Sequence, residues 1–151
     1  AINLGDTHLS FSPDFIFNNV FSFNWKGFNA AVQSQYIGEQ YLTNTGFKSY
    51  TNYREDGSVE SEVGMMLEDF FQTNVNLSYT FALKRLGVKE VTLGVTFYNV
   101  FSDEHDNNGW AAPNYRVVNG KAEAYCVDDL YEAGFAPSAP FNWMAHLSIA
   151  F

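Results

Sequence analysis

Apolar and polar residues alternate without a break along 141–151, where Phe141, Trp143, Ala145, Leu147, Ile149 and Phe151 share one face and Asn142, Met144, His146, Ser148 and Ala150 the other. A period of two is the repeat of an extended chain, so this stretch predicts a strand with one apolar face and one small or polar face. The same repeat occurs four more times. From Asp14 it sets Phe15, Phe17, Phe21, Phe23 and Trp25 against Ile16, Asn18, Val20, Ser22 and Asn24, with Asn19 intruding on the apolar side. Lys26-Gly27 then predicts a two-residue hairpin turn, because Gly adopts a positive φ at no steric cost. Phe28, Ala30, Val32, Ser34 and Tyr36 follow opposite Asn29, Ala31, Gln33 and Gln35, and a bulge is expected near Gly38. The cleanest alternation runs from about Glu68 to Leu83, with Phe71, Thr73, Val75, Leu77, Tyr79 and Phe81 opposite Gln72, Asn74, Asn76, Ser78 and Thr80. A short turn over 84–89 leads to Val91, Leu93, Val95 and Phe97 opposite Thr92, Gly94, Thr96 and Tyr98, a strand that runs out near Phe101. Residues 42–66 and 102–138 carry Gly, Asn, Pro and acids with no sustained period and predict two long polar loops, while 1–13 predict a loop leading into the first strand.

The pattern therefore predicts an all-β chain, an antiparallel meander of about five strands. Two environments suit such strands: a soluble sheet, with its apolar face on a core, or an outer-membrane barrel, with that face on lipid and the other on a watery lumen. The unbroken series of Asn, Gln, Ser and Thr on the polar faces favours the barrel, since a packed core would need a partner for each group. Connections that alternate between short (26–27, 84–89) and long (42–66, 102–138) match short periplasmic turns and long extracellular loops. Aromatics also gather at strand ends, with Phe23, Trp25, Phe28, Phe81 and Phe151 toward one rim and Phe15, Tyr36, Phe71, Phe97 and Trp143 toward the other, as interfacial girdles do. With the short turns periplasmic, the chain enters from outside and finishes inside. Five strands so arranged are expected to be the C-terminal portion of a larger barrel, whose known bacterial examples have even strand numbers.

Composition narrows the function classes. The chain of 151 residues has no linker and reads as a single unit, with 15 Phe, 9 Tyr and 3 Trp. Eight Lys and Arg against 17 acids, a net charge of −9, argue against nucleic acid as a partner. Cys126 is the lone cysteine, so neither an internal disulfide nor a zinc cluster is expected, and its flanks hold no base to activate the thiol. No apolar run approaches the ~20 residues of a membrane helix, although barrel strands hide their hydrophobicity in alternation. The start at Ala1, without an initiator Met or a signal region, is read as that of a processed chain or a fragment.

Several local stretches resemble the C-terminal barrel segment of TonB-dependent outer-membrane receptors. They are Leu4-Gly5-Asp6 through Pro13 ahead of a strand, Tyr36-Ile37-Gly38-Glu39-Gln40-Tyr41 running into Thr43-Asn44-Thr45, the strand from Asp69 to Phe81 with its Ser78-Tyr79-x-Phe81 ending, and Val95 through Phe101. The most specific is Asn99-Val100-Phe101 followed by a loop and a terminal strand ending in Phe151. The chain departs from the family at Asp103-Glu104-His105, where a Tyr is usual. The resemblance implies a barrel of about 22 strands with a plugged lumen. It also implies import of a scarce nutrient, such as a metal-siderophore, haem, cobalamin or glycan, energised through the TonB complex by way of a plug that this sequence does not include. The expected surroundings are outer-membrane lipid, the rest of the barrel and plug, and the barrel assembly machinery, for which a terminal aromatic such as Phe151 is the signal.

Candidate binding residues follow from residue type. Asp103, Glu104, His105 and Asp106 place three carboxylates and an imidazole in sequence, oxygen-rich enough to interest Ca²⁺ but with the spacing of no known cation loop, so a solvated acidic loop is the simpler expectation. Trp110, Tyr115, Tyr125 and Tyr131 are loop aromatics of the kind that stack on a ligand or sugar, or on one another. His146 falls on the lumen face, where it could touch substrate or simply hydrogen-bond to a neighbouring strand. No resident metal or cofactor is expected. No carboxylate dyad or Ser/His/Asp arrangement has positional logic, so an enzyme is not expected. The alternative of a different class is a soluble β-sandwich module that binds carbohydrate through its aromatics.

Overall fold

A computed structural model describes residues 5–54, 56–83, 87–113, 116–118, 121–123 and 131–151. Every regular element among them is a strand: β1 (Ile16–Trp25), β2 (Phe28–Ile37), β3 (Gln40–Tyr41), β4 (Ser49–Tyr53), β5 (Val59–Gly64), β6 (Met66–Leu67), β7 (Phe70–Leu83), β8 (Val88–Tyr98), β9 (Asp106–Pro113), β10 (Arg116–Val118), β11 (Lys121–Glu123), β12 (Tyr131–Pro137) and β13 (Asn142–Ala150). They fall into two compact units, one of residues 15–37, 70–104 and 139–151 and the other of 1–14, 38–69 and 105–138.

The first unit is an antiparallel sheet of five strands in the order β1-β2-β7-β8-β13, each starting and stopping within a few residues of where the alternation predicts. Its register makes the two faces continuous. Phe28 pairs with Tyr79, Tyr79 with Leu93 and Leu93 with Leu147, so one apolar row crosses four strands. The row of Ala30, Leu77, Val95 and Ala145 lies beside it, and the smaller side chains there leave an apolar groove of about 550 Å³ bounded by Tyr79, Leu93 and Leu147. A one-residue slip in any pair would exchange the faces, so the pattern itself fixes the register.

This apolar face is bare. Phe21 is 71% exposed and Trp143 63%, with Phe23, Trp25, Leu93 and Leu147 also open. Rings meet toward both ends of the strands: Phe23 and Phe28 lie 6.5 Å apart and Tyr79 and Phe81 5.9 Å at one, Phe15 and Tyr36 5.9 Å and Phe97 and Phe141 6.3 Å at the other. Asn19, the exception on β1, has a structural setting. It pairs with Ser34 and Ser34 with Thr73, whose hydroxyls lie 3.0 Å apart, so a short polar row crosses three strands one step inside Phe17, Tyr36 and Phe71.

The opposite face bears the amides and hydroxyls. Asn76 donates to Thr96 at 2.7 Å, and the Thr80 and Thr92 hydroxyls bond at 2.9 Å. Among the described residues each outer strand, β1 and β13, has one neighbour only, leaving two long open edges. The β1–β2 turn is the predicted two-residue hairpin, with Lys26 at φ 45 and Gly27 at φ 86. A Cβ on Gly27 would also overlap the Thr80 carbonyl oxygen. Gly27→Ala is therefore expected to lower stability by at least about 1 kcal/mol, read as an earlier unfolding midpoint.

The second unit corrects the expectation of two structureless loops. Residues 42–66 and 102–138 contain the paired ribbons β4–β5, β10–β11 and β9–β12, and the short β3–β6 pair brackets the first of these stretches. Leu42, Met65 and Leu67 form its apolar centre, each nearly or fully buried. Leu42 N donates to Met65 O at 3.0 Å and Met65 N to Lys48 O at 2.9 Å, which accounts for main-chain groups that such burial would otherwise leave unpaired. The β4–β5 connection holds Asp56-Gly57, with Gly57 at φ 79. Asp56 accepts from the Ser58 hydroxyl at 2.6 Å and from Ser58 N at 2.9 Å, bonds that hold its carboxyl below the usual aspartate range.

Candidate functional site

The acidic run 103–106 is divided between the two units, Asp103 and Glu104 in one and His105 and Asp106 in the other. Asp103 accepts from Phe71 N at 2.9 Å through its carboxylate, 32 residues away along the chain. Its own main chain is clamped by Asn99, which donates to Asp103 O at 3.0 Å and accepts from Asp103 N at 3.0 Å. Asn99 also donates to Ala139 O at 3.1 Å, and its N–H reaches Asn74 Oδ1 at 3.0 Å. Fully buried and at φ 49, Asn99 thus ties together the ends of β7 and β8 and the chain entering β13. The Asn99-Val100-Phe101 element singled out from the sequence is this knot. Glu104 is exposed, His105 O accepts from Ser138 N at 2.7 Å, and Asp106 opens β9 opposite Pro137. Among the described residues no group of three or more His, Cys, Asp or Glu could hold a metal ion.

His146 lies on the polar face of β13 opposite Gly94, and its imidazole occupies the space a Cβ on Gly94 would fill. The glycine lets the ring lie flat on the neighbouring strand. Phe151, just beyond β13, is 77% exposed. Tyr115, Tyr125 and Cys126 lie outside the described residues.

Trp110 and Tyr131 enter one pocket within the second unit. This cleft of about 450 Å³ is lined by Ser61, Glu62, Trp110, Tyr131, Glu132 and Phe135 among others. Its walls are β5, β9 and β12, and their mutual placement depends on Asn52. Only 4% exposed, Asn52 presents its amide to a strand as a peptide would: Nδ2 donates to Tyr131 O at 3.0 Å and Oδ1 accepts from Tyr131 N at 2.8 Å. Nδ2 also reaches Ser61 Oγ at 2.8 Å, so one side chain joins β4, β5 and β12. The Tyr50 and Tyr131 rings pack 4.3 Å apart behind this clamp.

Two glycines shape the cleft. Trp110 pairs with Gly134 and Gly109 with Phe135. A Cβ on Gly134 would collide with the indole, and one on Gly109 would press on Phe135 and Leu42, so each ring lies against a strand that has no side chain beneath it. Trp110 stays 54% exposed in this position, a flat apolar surface open on its outer side. Glu62, Gly134 and Phe135 were not singled out from the sequence, because their stretches lack a clear period; the cross-strand register is what brings them to Trp110. No family model, curated protein or solved structure matches the chain.

Proposed function

We propose that the chain is the C-terminal barrel segment of an outer-membrane active transporter of the TonB-dependent receptor type, importing a scarce nutrient. The observation that carries this reading is the five-stranded sheet whose register aligns one bare apolar face and one polar face from β1 to β13. Soluble monomers rarely expose apolar patches beyond a few hundred Å². Lipid is the solvent that stabilises such a face, and a watery lumen satisfies the Asn, Gln, Ser and Thr opposite. The groove beside Tyr79, Leu93 and Leu147 suits an acyl chain, and the ring clusters toward the two strand ends suit the two interfaces.

The open edges of β1 and β13 favour a segment over a finished sheet, since long apolar edges invite pairing and closure of a barrel removes them. Further strands and the plug would complete it, with the plug carrying the contact to the TonB complex. The β13 edge and the exposed Phe151 beside it are what the assembly machinery would engage before closure. On this reading the long connections 42–66 and 102–138 are extracellular loops, as the alternation of short turns and long loops implies. A β-sandwich would need a second sheet over the apolar face, and the exposure of Phe21, Trp25, Leu93 and Leu147 speaks against one.

Cell fractionation tests the reading. The full-length protein should sediment with outer membranes, resist alkaline and urea washes and come off only in detergent. Recovery as a detergent-free soluble monomer would overturn it.

A further inference from the structure

We propose that the outer edge of β12 binds a short oligopeptide, which adds to it as an antiparallel strand with its middle side chain against Trp110. This deepens the import reading by naming a ligand class, and it rests on that reading for the use to which the peptide is put. Register and hydrogen bonding single out the edge. β12 belongs to a two-stranded ribbon whose other member is β9. Tyr131 pairs with Pro113 in that ribbon, yet its N–H and C=O bond to the Asn52 amide, so both point away from β9. The register runs without a shift from Tyr131 to Ala136, and antiparallel ladders alternate, so Ala133 and Phe135 turn the same groups outward. Among the described residues each has β9 as its only strand partner. The Asn52 amide exchanges two bonds with Tyr131 as the facing residue of an antiparallel strand would. One position thus shows what the edge accepts at the next two.

The edge is short. Asn52 closes it at Tyr131, and at the other end the register shifts and Pro137 offers no N–H. Ala133 and Phe135 are about 7 Å apart, which suits a peptide of a few residues rather than a long partner strand. Both line the cleft of about 450 Å³ that β5 walls with Ser61 and Val63, so an added strand would be covered on one side. Side-chain selection comes from Gly134. A residue facing Gly134 puts its side chain on that glycine's face, where the Trp110 ring lies flat across the strand. An apolar or aromatic side chain there gains contact with a ring that is otherwise 54% exposed. Main-chain bonds supply affinity and one alternate side chain supplies selectivity, the division of labour in strand addition.

The test uses the full-length protein purified in detergent, titrated calorimetrically with capped pentapeptides of threonine whose central residue is phenylalanine, leucine or glycine. The phenylalanine peptide should bind, and more tightly than the glycine one. N-methyl groups on its second and fourth residues, whose N–H groups face Phe135 and Ala133, should weaken binding about tenfold or more, whereas a methyl on the central residue, whose N–H faces away, should cost little. Ala133→Pro, which removes an outward donor at an edge position where proline is tolerated, should weaken it comparably. Trp110→Ala should erase the preference for phenylalanine over glycine at the centre. If either variant misfolds by circular dichroism, the methylated peptides decide on the parent protein. No pentapeptide binding at millimolar concentration, equal losses from the two methylation patterns, a central preference that survives Trp110→Ala, or binding only of a capped dodecamer, as of a partner protein's strand, would overturn the proposal. A protein that sediments with outer membranes yet binds no peptide sinks this inference alone, whereas a peptide-binding protein recovered soluble sinks the import reading alone.

Discussion

Replacing Leu147 with Arg is expected to destabilise the folded protein in bilayers by about 2–4 kcal/mol, the cost of a cation on the lipid face near the midplane of a barrel. Leu147 lies near the middle of β13, in the row with Leu93, Tyr79 and Phe28, and it is open on the apolar side. In lipid an Arg there must bend its stem toward an interface or draw water inward. Ser148→Arg, one residue on, places the same charge on the polar face opposite Thr92 and should change stability little. Urea titration in vesicles of the full-length protein checks both. If the apolar face met water, Leu147→Arg would be neutral or favourable, and equal losses for the two variants would remove the distinction between the faces.

The second large effect is expected at Asn99. Changing it to Ala removes a fully buried side chain, leaves Asp103 N, Asp103 O and Ala139 O without its part-buried hydrogen bonds, and asks a β-carbon residue with no local hydrogen bond to hold φ 49. The lost bonds and the left-handed backbone together are worth about 3 kcal/mol. Asn99→Gly relieves the backbone part and should recover about 1 kcal/mol of it. Asn99→Asp keeps an acceptor for Asp103 N but sets a carboxylate against two carbonyl oxygens, and should be at least as damaging as Ala. Thermal unfolding in detergent orders the three. A parent-like Asn99→Ala would mean that the knot does not hold the strand ends.

The sheet was legible in the sequence because its signal is local. Period-two alternation over ten or so residues needs no knowledge of partners, and once the strands are placed the faces force the register. The second unit was hidden for the converse reason. β4 and β5 have 5 and 6 residues, and β9 contains Gly109 and ends in Pro113, so none shows a clean face. Asp56-Gly57 was a hairpin signal in plain view, but it lacked flanking alternation strong enough to act on. What makes Asn52 a clamp is Tyr131, 79 positions on, and what commits Asp103 is Phe71 N, 32 positions back. Composition drew attention to Trp110 and His146, yet the glycines that let their rings lie flat, Gly134 and Gly94, became partners only through the cross-strand register.

The central claim is that one face of the sheet meets lipid and the other water. Spin-label accessibility along β13 tests it most directly, using single-cysteine variants from 143 to 149 in a Cys126→Ala full-length protein reconstituted in vesicles. Labels replacing Trp143, Ala145, Leu147 and Ile149 should collide with oxygen and be shielded from an aqueous nickel chelate, and labels replacing Met144, His146 and Ser148 should do the reverse. Chelate access at the first set, or shielding of that set from both reagents as in a packed core, would contradict the account.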